Sequence, residues 1–183
     1  MARPEFGKLK EPLLRAMAMA RAFDLGRHRD LVWHRTGSFY DAAYQAPLSS
    51  PTVFNFFRPD YQAPGPIRDA SLASPVFQIT DSYSAISFPN FLWETLVNGF
   101  EAQPWGAERE RFSLDFSAIL PLTKEPAALV DRLNLLFCSG SMTLTIRRAI
   151  ITAIEDIPDT APGVRAMLAA YLTLMSPEGA ILR

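Results

Sequence analysis

Apolar residues recur at helical spacing through the last third of the chain, and this pattern predicts three consecutive helices over residues 117–183. Each helix has a start signal in which a hydroxyl side chain precedes the first apolar turn. The signals are Thr123 for the first helix, Ser141 or Thr143 for the second, and Thr160 for the third. Because the connections between them are short, we expect a compact three-helix lobe.

The buried face of each helix is predicted from apolar residues spaced three or four apart. These residues are Leu129, Val130, Leu133, Leu136 and Phe137 in the first helix, Ile146, Ile150, Ala153 and Ile154 in the second, and Val164, Leu168, Tyr171, Leu172 and Met175 in the third. The first helix is expected to end near Gly140. A final turn is expected from Ser176 to Glu178, where a proline follows a capping serine.

The N-terminal region, residues 8–45, begins with a helix expected over residues 10–25, with Pro12 in its first turn and Gly26 as its cap. Leu13, Leu14, Met17 and Arg21 follow helical spacing. The alanines between them are expected to permit close approach by another helix: Ala16, Ala18, Ala20 and Ala22. The next segment, residues 27–35, reads RHRDLVWHR and has two interpretations. It is either a short helix with docked apolar residues and solvated charges, or an anion site. We favour the short helix because the pattern is brief and mixed.

Residues 46–116 form a middle region that is rich in proline and aromatic residues, whereas the last third of the chain is aliphatic. Five of the fifteen prolines fall within residues 46–66, so neither a long helix nor a central strand can form there. A long ordered loop is expected instead. The side chains expected to hold it against the protein are Val53, Phe54, Phe56 and Phe57.

A longer helical segment follows this loop and runs toward Asn98. Thr80 or Asp81 can cap its beginning. Because Pro89 falls inside the pattern, we expect either a kink or two helices, over residues 81–88 and 89–97.

These elements predict a mainly α fold: an irregular helical array with a proline- and aromatic-rich ordered central loop region and a C-terminal three-helix lobe. Residues 100–112 are expected to be a turn-rich connector between the middle region and the lobe.

The amino-acid composition of the chain bears on which classes of binding partner it can have. The net charge is −1 and 49% of residues are hydrophobic, which is typical of a globular protein with no field that favours nucleic acid. No apolar run approaches the roughly 18 to 20 residues that span a bilayer. We therefore predict no nucleic-acid partner and no transmembrane segment. Fifteen arginines against three lysines suit carboxylate or phosphate partners, but a GC-rich genome gives the same bias, and we favour that explanation.

The residues of metal and nucleophile chemistry are few. His28 and His34 do not share a helical face, and Cys138 is the only cysteine, so the sequence predicts no metal site, no disulfide and no cofactor. Cys138 lies at the end of an apolar stripe, where a free cysteine behaves as a small hydrophobic residue. No nucleophile elbow and no phosphate-binding glycine loop is present. The catalytic residues therefore stay unknown.

Carboxylates are the remaining candidates for acid–base chemistry. Glu94, Glu101, Asp115 and Asp131 are scattered, and the sequence does not bring any two of them together. Hydrolysis of a glycosidic bond by a carboxylate pair is thus an open alternative without a supporting pattern.

The central loop carries the only candidate ligand or partner site. Its residues are Asn55, Phe57, Arg58, Asp60 and Tyr61. In a structural interpretation, Arg58 pairs with Asp60 and Asn55 satisfies buried backbone groups, as a packed loop requires. In a functional interpretation, the aromatic rings form a stacking or docking surface. We favour the structural interpretation, in which Val53 to Tyr61 act as an internal clasp.

The run APLSSPTVFNFFRPDY, with SPVFQIT after it, resembles the C-terminal part of a bacterial family known as domain of unknown function 1800. The segments LVDRLNLLFCSGSM and YLTLMSPEGAILR resemble the closing helices of that family. The similarity extends from about Lys8 to the end of the chain and is weakest over residues 100–112.

The resemblance implies that the chain, residues 1–183, is the C-terminal part of a larger helical protein, because members of the family are usually much longer. It also implies export, and hence a periplasmic or extracellular location, and a protein partner encoded by a neighbouring gene. No catalytic residues are established in the family. We therefore expect the chain to be a non-catalytic interaction or scaffold portion of the larger protein. Its first expected partner is the N-terminal half of that protein, and in isolation the chain is expected to form a homodimer. The alternative is part of a hydrolase or carbohydrate-binding site completed by that half.

Overall fold

The structure is a computed structural model that describes residues 7–24, 37–46, 49–102 and 110–182. Within these ranges the fold is mainly α, as the sequence predicts. The helices are α1 (Pro12–Ala22), α2 (Gly37–Ala43), α3 (Pro66–Asp69), α4 (Ser84–Asn98), α5 (Pro126–Cys138), α6 (Leu144–Glu155), α7 (Pro162–Met175) and α8 (Pro177–Ala180). Two 3₁₀ helices, Pro75–Ile79 and Leu120–Lys124, precede α4 and α5.

The described ranges contain two short antiparallel strand pairs. Strand β1 (Lys8–Leu9) pairs with β4 (Ile181–Leu182), so Lys8 lies opposite Leu182. The Lys10 N–H extends this pair with a 2.8 Å hydrogen bond to the Ala180 carbonyl. The sequence did not predict this pair, because two residues are too few to show an alternating pattern.

One hydrophobic cluster unites the N-terminal, middle and C-terminal regions of the chain. Helix α5 packs against α1, α6, α7 and α8, and its Leu129, Val130 and Leu133 are fully buried. The predicted face of α5 is confirmed, except that Leu136 is half-buried and Cys138 joins the core instead.

The caps of the C-terminal helices match the sequence in two of four predicted positions. The Thr143 hydroxyl accepts from the Ile146 N–H at the start of α6, and the Ser176 hydroxyl accepts from the Gly179 N–H at 3.0 Å. The predicted cap at Thr123 is wrong. Its hydroxyl donates to the Leu120 carbonyl at 2.7 Å inside a 3₁₀ helix, because α5 begins only at Pro126. The predicted start signal at Thr160 is also wrong, because the N-cap of α7 is Ala161 and no side chain caps this helix.

The predicted face of α7 is confirmed only in part, because its large apolar residues other than Val164 pack against the core from partly buried positions. The buried positions of this helix are Arg165, Ala166, Ala169, Ala170, Thr173 and Leu174. Val164 is 45% exposed, and the larger apolar residues Leu168 and Tyr171 are only half-buried. Alanines occupy the centre of the contact because they allow α5 and α7 to approach closely, which places the larger side chains at the flanks.

Helix α1 confirms the expected close packing of its alanines, but Leu14 does not contribute to the buried face. Its buried residues are Pro12, Arg15, Ala16, Met19 and Ala20, whereas Leu14 is 55% exposed. The small residues Ala16 and Ala20 again face the core. The predicted cap at Gly26 and the segment 27–35 lie outside the described residues.

Helix α4 passes through Pro89 without a division into two helices. The predicted capping role of Asp81 is confirmed by a reciprocal pair of hydrogen bonds with Ser84. The Asp81 carboxylate accepts from the Ser84 N–H at 2.8 Å, and the Ser84 hydroxyl accepts from the Asp81 N–H at 2.9 Å. The N–H bond from Ser84 lowers the pKa of Asp81.

The connector over residues 100–112 contains a strand pair, β2 (Phe100–Ala102) with β3 (Glu110–Phe112), that the sequence analysis missed. Residues 103–109 lie outside the described residues. Gly99 leads into β2 with a φ of +81, and a Cβ there would overlap the carbonyl of Phe112. Glycine is therefore required where α4 gives way to the strand pair.

Candidate functional site

The tip of the central loop is a tight turn from Thr52 to Asn55. The Asn55 N–H donates to the Thr52 carbonyl at 3.2 Å, while the Thr52 hydroxyl donates to the Asn55 carbonyl at 3.1 Å. The same hydroxyl accepts from the Phe54 N–H at 3.1 Å. Asn55 has a φ of 72, a left-handed conformation that asparagine adopts more readily than most residues. Asn55 thus shapes the turn and is exposed, so the predicted role in a buried interior is wrong.

This turn displays two apolar side chains to solvent. Val53 is 94% exposed and Phe54 is 62% exposed. The prediction that these two residues pin the loop against the protein is therefore wrong. Phe56, Phe57 and Tyr61 are half-buried and are therefore less accessible to solvent than the turn itself.

The base of the loop is held by hydrogen bonds to the segment that precedes α4. The Arg58 N–H donates to the Gln78 side-chain oxygen at 2.7 Å, and the Ser74 N–H donates to the Tyr61 carbonyl at 2.7 Å. The Ala63 N–H donates to the Ser74 hydroxyl at 2.7 Å. These bonds keep an irregular stretch in one conformation, although the loop contains almost no regular structure.

Arg58 and Asp60 form the ion pair that the sequence predicts. Two guanidinium nitrogens donate to the Asp60 carboxylate at 3.2 Å and 3.0 Å. Both side chains are about two-thirds exposed, so the pair lies in solvent rather than in a buried loop. Of the five predicted site residues, Arg58, Asp60 and Tyr61 thus share the base of the loop, Asn55 belongs to its tip, and Phe57 is half-buried.

A cleft of about 330 Å³ lies beside α4, and two of the four scattered carboxylates, Glu94 and Glu101, are among its lining residues. Glu94 accepts from the Asn98 amide at 2.7 Å, and Glu101 lies 3.5 Å from the guanidinium of Arg111. Asp41, Tyr83, Asn90 and Phe91 also line this cleft.

The other two carboxylates lie elsewhere. Asp115 accepts from the Ser117 N–H at 2.8 Å, and Asp131 binds Arg147 through two hydrogen bonds of 2.6 Å and 2.8 Å. The hydrogen bond from Arg147 holds the pKa of Asp131 below its usual value.

Cys138 is buried at the end of α5, as the apolar stripe predicts. Burial raises the pKa of the thiol, and a hydrogen bond with Ser176 opposes that shift only in part. A nucleophilic thiol needs a depressed pKa and access to solvent, so this environment is that of an inert cysteine. Both histidines, His28 and His34, lie outside the described residues.

Two kinds of site are not found in the part of the chain that the structure describes. Among these residues, no group of three or more histidine, cysteine or acidic side chains could hold a metal ion. None of the described helices is long and apolar enough to cross a membrane.

The sequence analysis missed two cations near the N-terminus that leave solvent, the half-buried Lys10 and the buried Arg15. The Lys10 ammonium donates to the Phe137 carbonyl at 2.6 Å, and burial lowers its pKa. Arg15 is 8% exposed, and burial lowers its pKa to about 10. The available signal was the spacing of Pro12, Arg15 and Met19, which places Arg15 on the buried face of α1.

These features define a mainly α protein with an ordered aromatic loop. Residues 1–180 match the family described as "Protein of unknown function (DUF1800)", and the chain belongs to that family. The resemblance recognised from the loop and the closing helices is thereby confirmed. No curated protein and no solved structure matches the chain.

Proposed function

We propose that the chain is a non-catalytic interaction or scaffold portion of a larger, exported bacterial protein. The observation that carries this proposal is the exposure of Val53 and Phe54 at the tip of a hydrogen-bonded turn. Exposed apolar residues on an ordered projection are typical of a docking element, because burying them releases water and orders little further chain.

A second apolar surface on α4 supports the same proposal. Ile86, Trp93 and Val97 are 66%, 37% and 48% exposed, and their spacing of seven and four residues places them on one side of the helix. The edge of the Trp93 ring packs against Tyr171 at a centroid distance of 5.3 Å, which fixes its orientation. An immobilised aromatic ring at a surface is a common anchor of protein interfaces.

The first partner we propose is the N-terminal half of the same protein, encoded upstream of Met1. Sequencing the open reading frame tests this directly. A coding sequence that continues upstream and begins with an export signal is the expected result. A stop codon directly upstream of Met1 would contradict both the larger protein and the export.

Binding is then measured by titrating the chain with the upstream polypeptide in a calorimeter. We expect Phe54→Ser to weaken binding by about tenfold or more, because truncating an interface anchor costs about 2 kcal/mol. Leu144→Ser is the matched control, since Leu144 is 69% exposed on α6, away from the loop. Equal binding by wild type and both variants would rule out the loop as the docking element.

The same apolar surfaces predict that the isolated chain associates with itself. They could also bind the product of the neighbouring gene, which is the further partner that we propose. We expect sedimentation velocity to show a dimer at high concentration that Trp93→Ser shifts toward monomer. A monomer at every concentration would contradict this part of the proposal.

A carbohydrate-binding or hydrolase site is the second candidate function. It is favoured by the cleft beside α4, in which Glu94 and Glu101 meet Tyr83, Asn90 and Asn98. Amide and carboxylate groups beside an aromatic ring are typical of sugar recognition, although the missing half of the protein would have to complete the site. Polysaccharide binding or turnover that Glu101→Gln abolishes, and that Glu155→Gln on α6 leaves unchanged, would support it. Turnover of this kind would contradict the non-catalytic proposal.

A further inference from the structure

Arg15 carries a buried guanidinium that no carboxylate of the described residues neutralises. Its Nη2 donates to the Leu174 carbonyl and lies 3.6 Å from the Met175 sulfur, and its Cζ lies 5.0 Å from the centre of the Phe88 ring. Its Nε is buried and has no hydrogen-bond partner. A buried cation normally has an anionic partner, because burial without one is costly.

The guanidinium lies between two clefts that share the wall formed by Leu9, Lys10 and Arg15. The larger cleft has a volume of about 200 Å³ and includes Leu174. The smaller has a volume of about 110 Å³ and includes Phe88 and Met175. Because Leu174 faces one cleft and Phe88 faces the other, the charged head of Arg15 forms part of the partition between them.

The charges around the larger cleft favour an anion. Its lining contains three cationic residues, Lys8, Lys10 and Arg15, and one acidic residue, Glu11. The Glu11 carboxylate accepts from the Gln45 amide at 3.0 Å, so part of its hydrogen-bonding capacity is already used. The Lys10 ammonium has three donors and uses one of them on the Phe137 carbonyl, which leaves two for a ligand.

We propose that this cleft binds the carboxylate group of a small organic acid, with Lys10 and Arg15 as its ligands and Lys8 at the rim. A planar carboxylate suits the planar fork of a guanidinium, and charge-assisted hydrogen bonds of this kind are the strong ones. The volume is sufficient, because an engineered cavity of roughly 150 Å³ in another protein holds benzene. The apolar side chains Leu14, Ala18 and Leu136 would contact the carbon atoms of the acid.

The proposal is tested by titrating the full chain with sodium acetate and sodium succinate while sodium chloride keeps the ionic strength constant. We expect the side-chain Nε–H resonance of Arg15 to shift with saturation in ¹H–¹⁵N spectra, and the melting temperature to rise with ligand concentration. Sodium phosphate is the comparison anion. A response to phosphate as strong as that to the carboxylates would overturn the carboxylate assignment.

Lysine variants distinguish a loss of anion binding from a failure of the protein to fold. We expect Lys10→Met to weaken binding by about tenfold or more, as the loss of a charge-assisted hydrogen bond predicts, and the exposed Lys8→Met to weaken it by a smaller factor. Lys124→Met is the matched control, because Lys124 is exposed and lies at the end of the 3₁₀ helix that precedes α5. If Lys10→Met does not fold, the Lys8→Met comparison still decides the result. The proposal fails if a separate titration with sodium chloride alone reproduces the carboxylate response, or if Lys124→Met weakens binding as much as Lys8→Met.

Discussion

The guanidinium carbon of Arg15 lies 5.0 Å from the centre of the Phe88 ring, so a cation on α1 meets the face of an aromatic ring on α4. Phe88 is 4% exposed and belongs to the hydrophobic core, so the contact is shielded from water. A cation held over a ring in this way contributes most when both groups are desolvated. The contact joins the N-terminal region of the chain to its aromatic middle region.

Phe88→Ala should lower the free energy of unfolding by about 3–5 kcal/mol, because it removes a buried ring and leaves a cavity beside Arg15. Phe54→Ala removes the same side chain from an exposed position and should change stability by less than about 0.5 kcal/mol. Urea denaturation followed by circular dichroism compares the two. Similar losses in both variants would contradict the burial assigned to these residues.

Arg165 is buried at the start of α7, where it contacts the 3₁₀ helix before α5 and the connection between α6 and α7. Its Nε donates to the Ile157 carbonyl at 2.7 Å, and its Nη1 donates to the Thr123 carbonyl at 3.1 Å. The same Nη1 lies 2.5 Å from a carboxylate oxygen of Asp159. Arg165→Met should destabilise the protein by about 3 kcal/mol, because two carbonyls lose a charged donor.

Asp159→Asn is the control for this prediction. The Asp159 side chain is 84% exposed, so losing its charge should cost less than about 1 kcal/mol. Thermal unfolding of both variants measures the difference. A larger loss in Asp159→Asn would show that the ion pair, rather than the carbonyl contacts, stabilises the junction.

Gly99→Ala should destabilise the protein by at least about 2 kcal/mol, since the new methyl group meets the Phe112 carbonyl and the φ of +81 disfavours a side chain. Gly163→Ala is the matched substitution in the first turn of α7, where nothing lies within 4 Å of the added carbon. It should stabilise the protein by about 0.5–1 kcal/mol. Chemical denaturation distinguishes the two, and equal effects would contradict the close approach at Gly99.

The pair of Asp131 and Arg147 should give a small pH-dependent contribution to stability. Because the pKa of Asp131 is lower in the folded than in the unfolded protein, its contribution is present above the unfolded value of about 4 and is lost as pH falls through the folded pKa. Asp131→Asn should therefore be less stable than wild type at pH 7, by about 1 kcal/mol or less, and equally stable near pH 2. A difference that persists at pH 2 would contradict an ionic origin.

Cys138 should react slowly with a thiol reagent in the folded protein. Burial both blocks access and raises the pKa of its thiol, so the thiolate is scarce at neutral pH. Absorbance with a disulfide reagent should show reaction at least about a hundredfold slower than in urea, since reaction requires opening of the core. Fast reaction of the folded protein would contradict the burial of the α5 end.

The sequence predicts most of the helical fold because large aliphatic residues mark the buried face of α5, and hydroxyl caps mark the starts of α6 and α8. It is only partly right where small residues form the interface. In α7, Ala166 and Ala169 lie at the centre of the contact, whereas a count of large apolar residues selects side chains at its flanks. In α1, the sequence does predict close approach at Ala16 and Ala20, and both are buried. Close packing between helices favours small side chains, whereas hydrophobicity scales favour large ones.

The candidate site was predictable only in its location. The prolines identify an ordered loop, and the pairing of Arg58 with Asp60 follows from their separation of two residues. The exposure of Val53 and Phe54 could not be predicted, because an apolar residue in a loop is usually buried and nothing local distinguishes the exception. The convergence of Glu94 and Glu101 and the burial of Arg15 likewise depend on contacts between distant segments.

The pairing of β1 with β4 places Lys8 directly opposite Leu182, a separation of about 5 Å between Cα atoms in an antiparallel pair. A linker of a few residues is therefore long enough to join the two strands into a closed backbone. New ends could then be opened at the exposed turn between Thr52 and Asn55, and the resulting circular permutant should retain the same core.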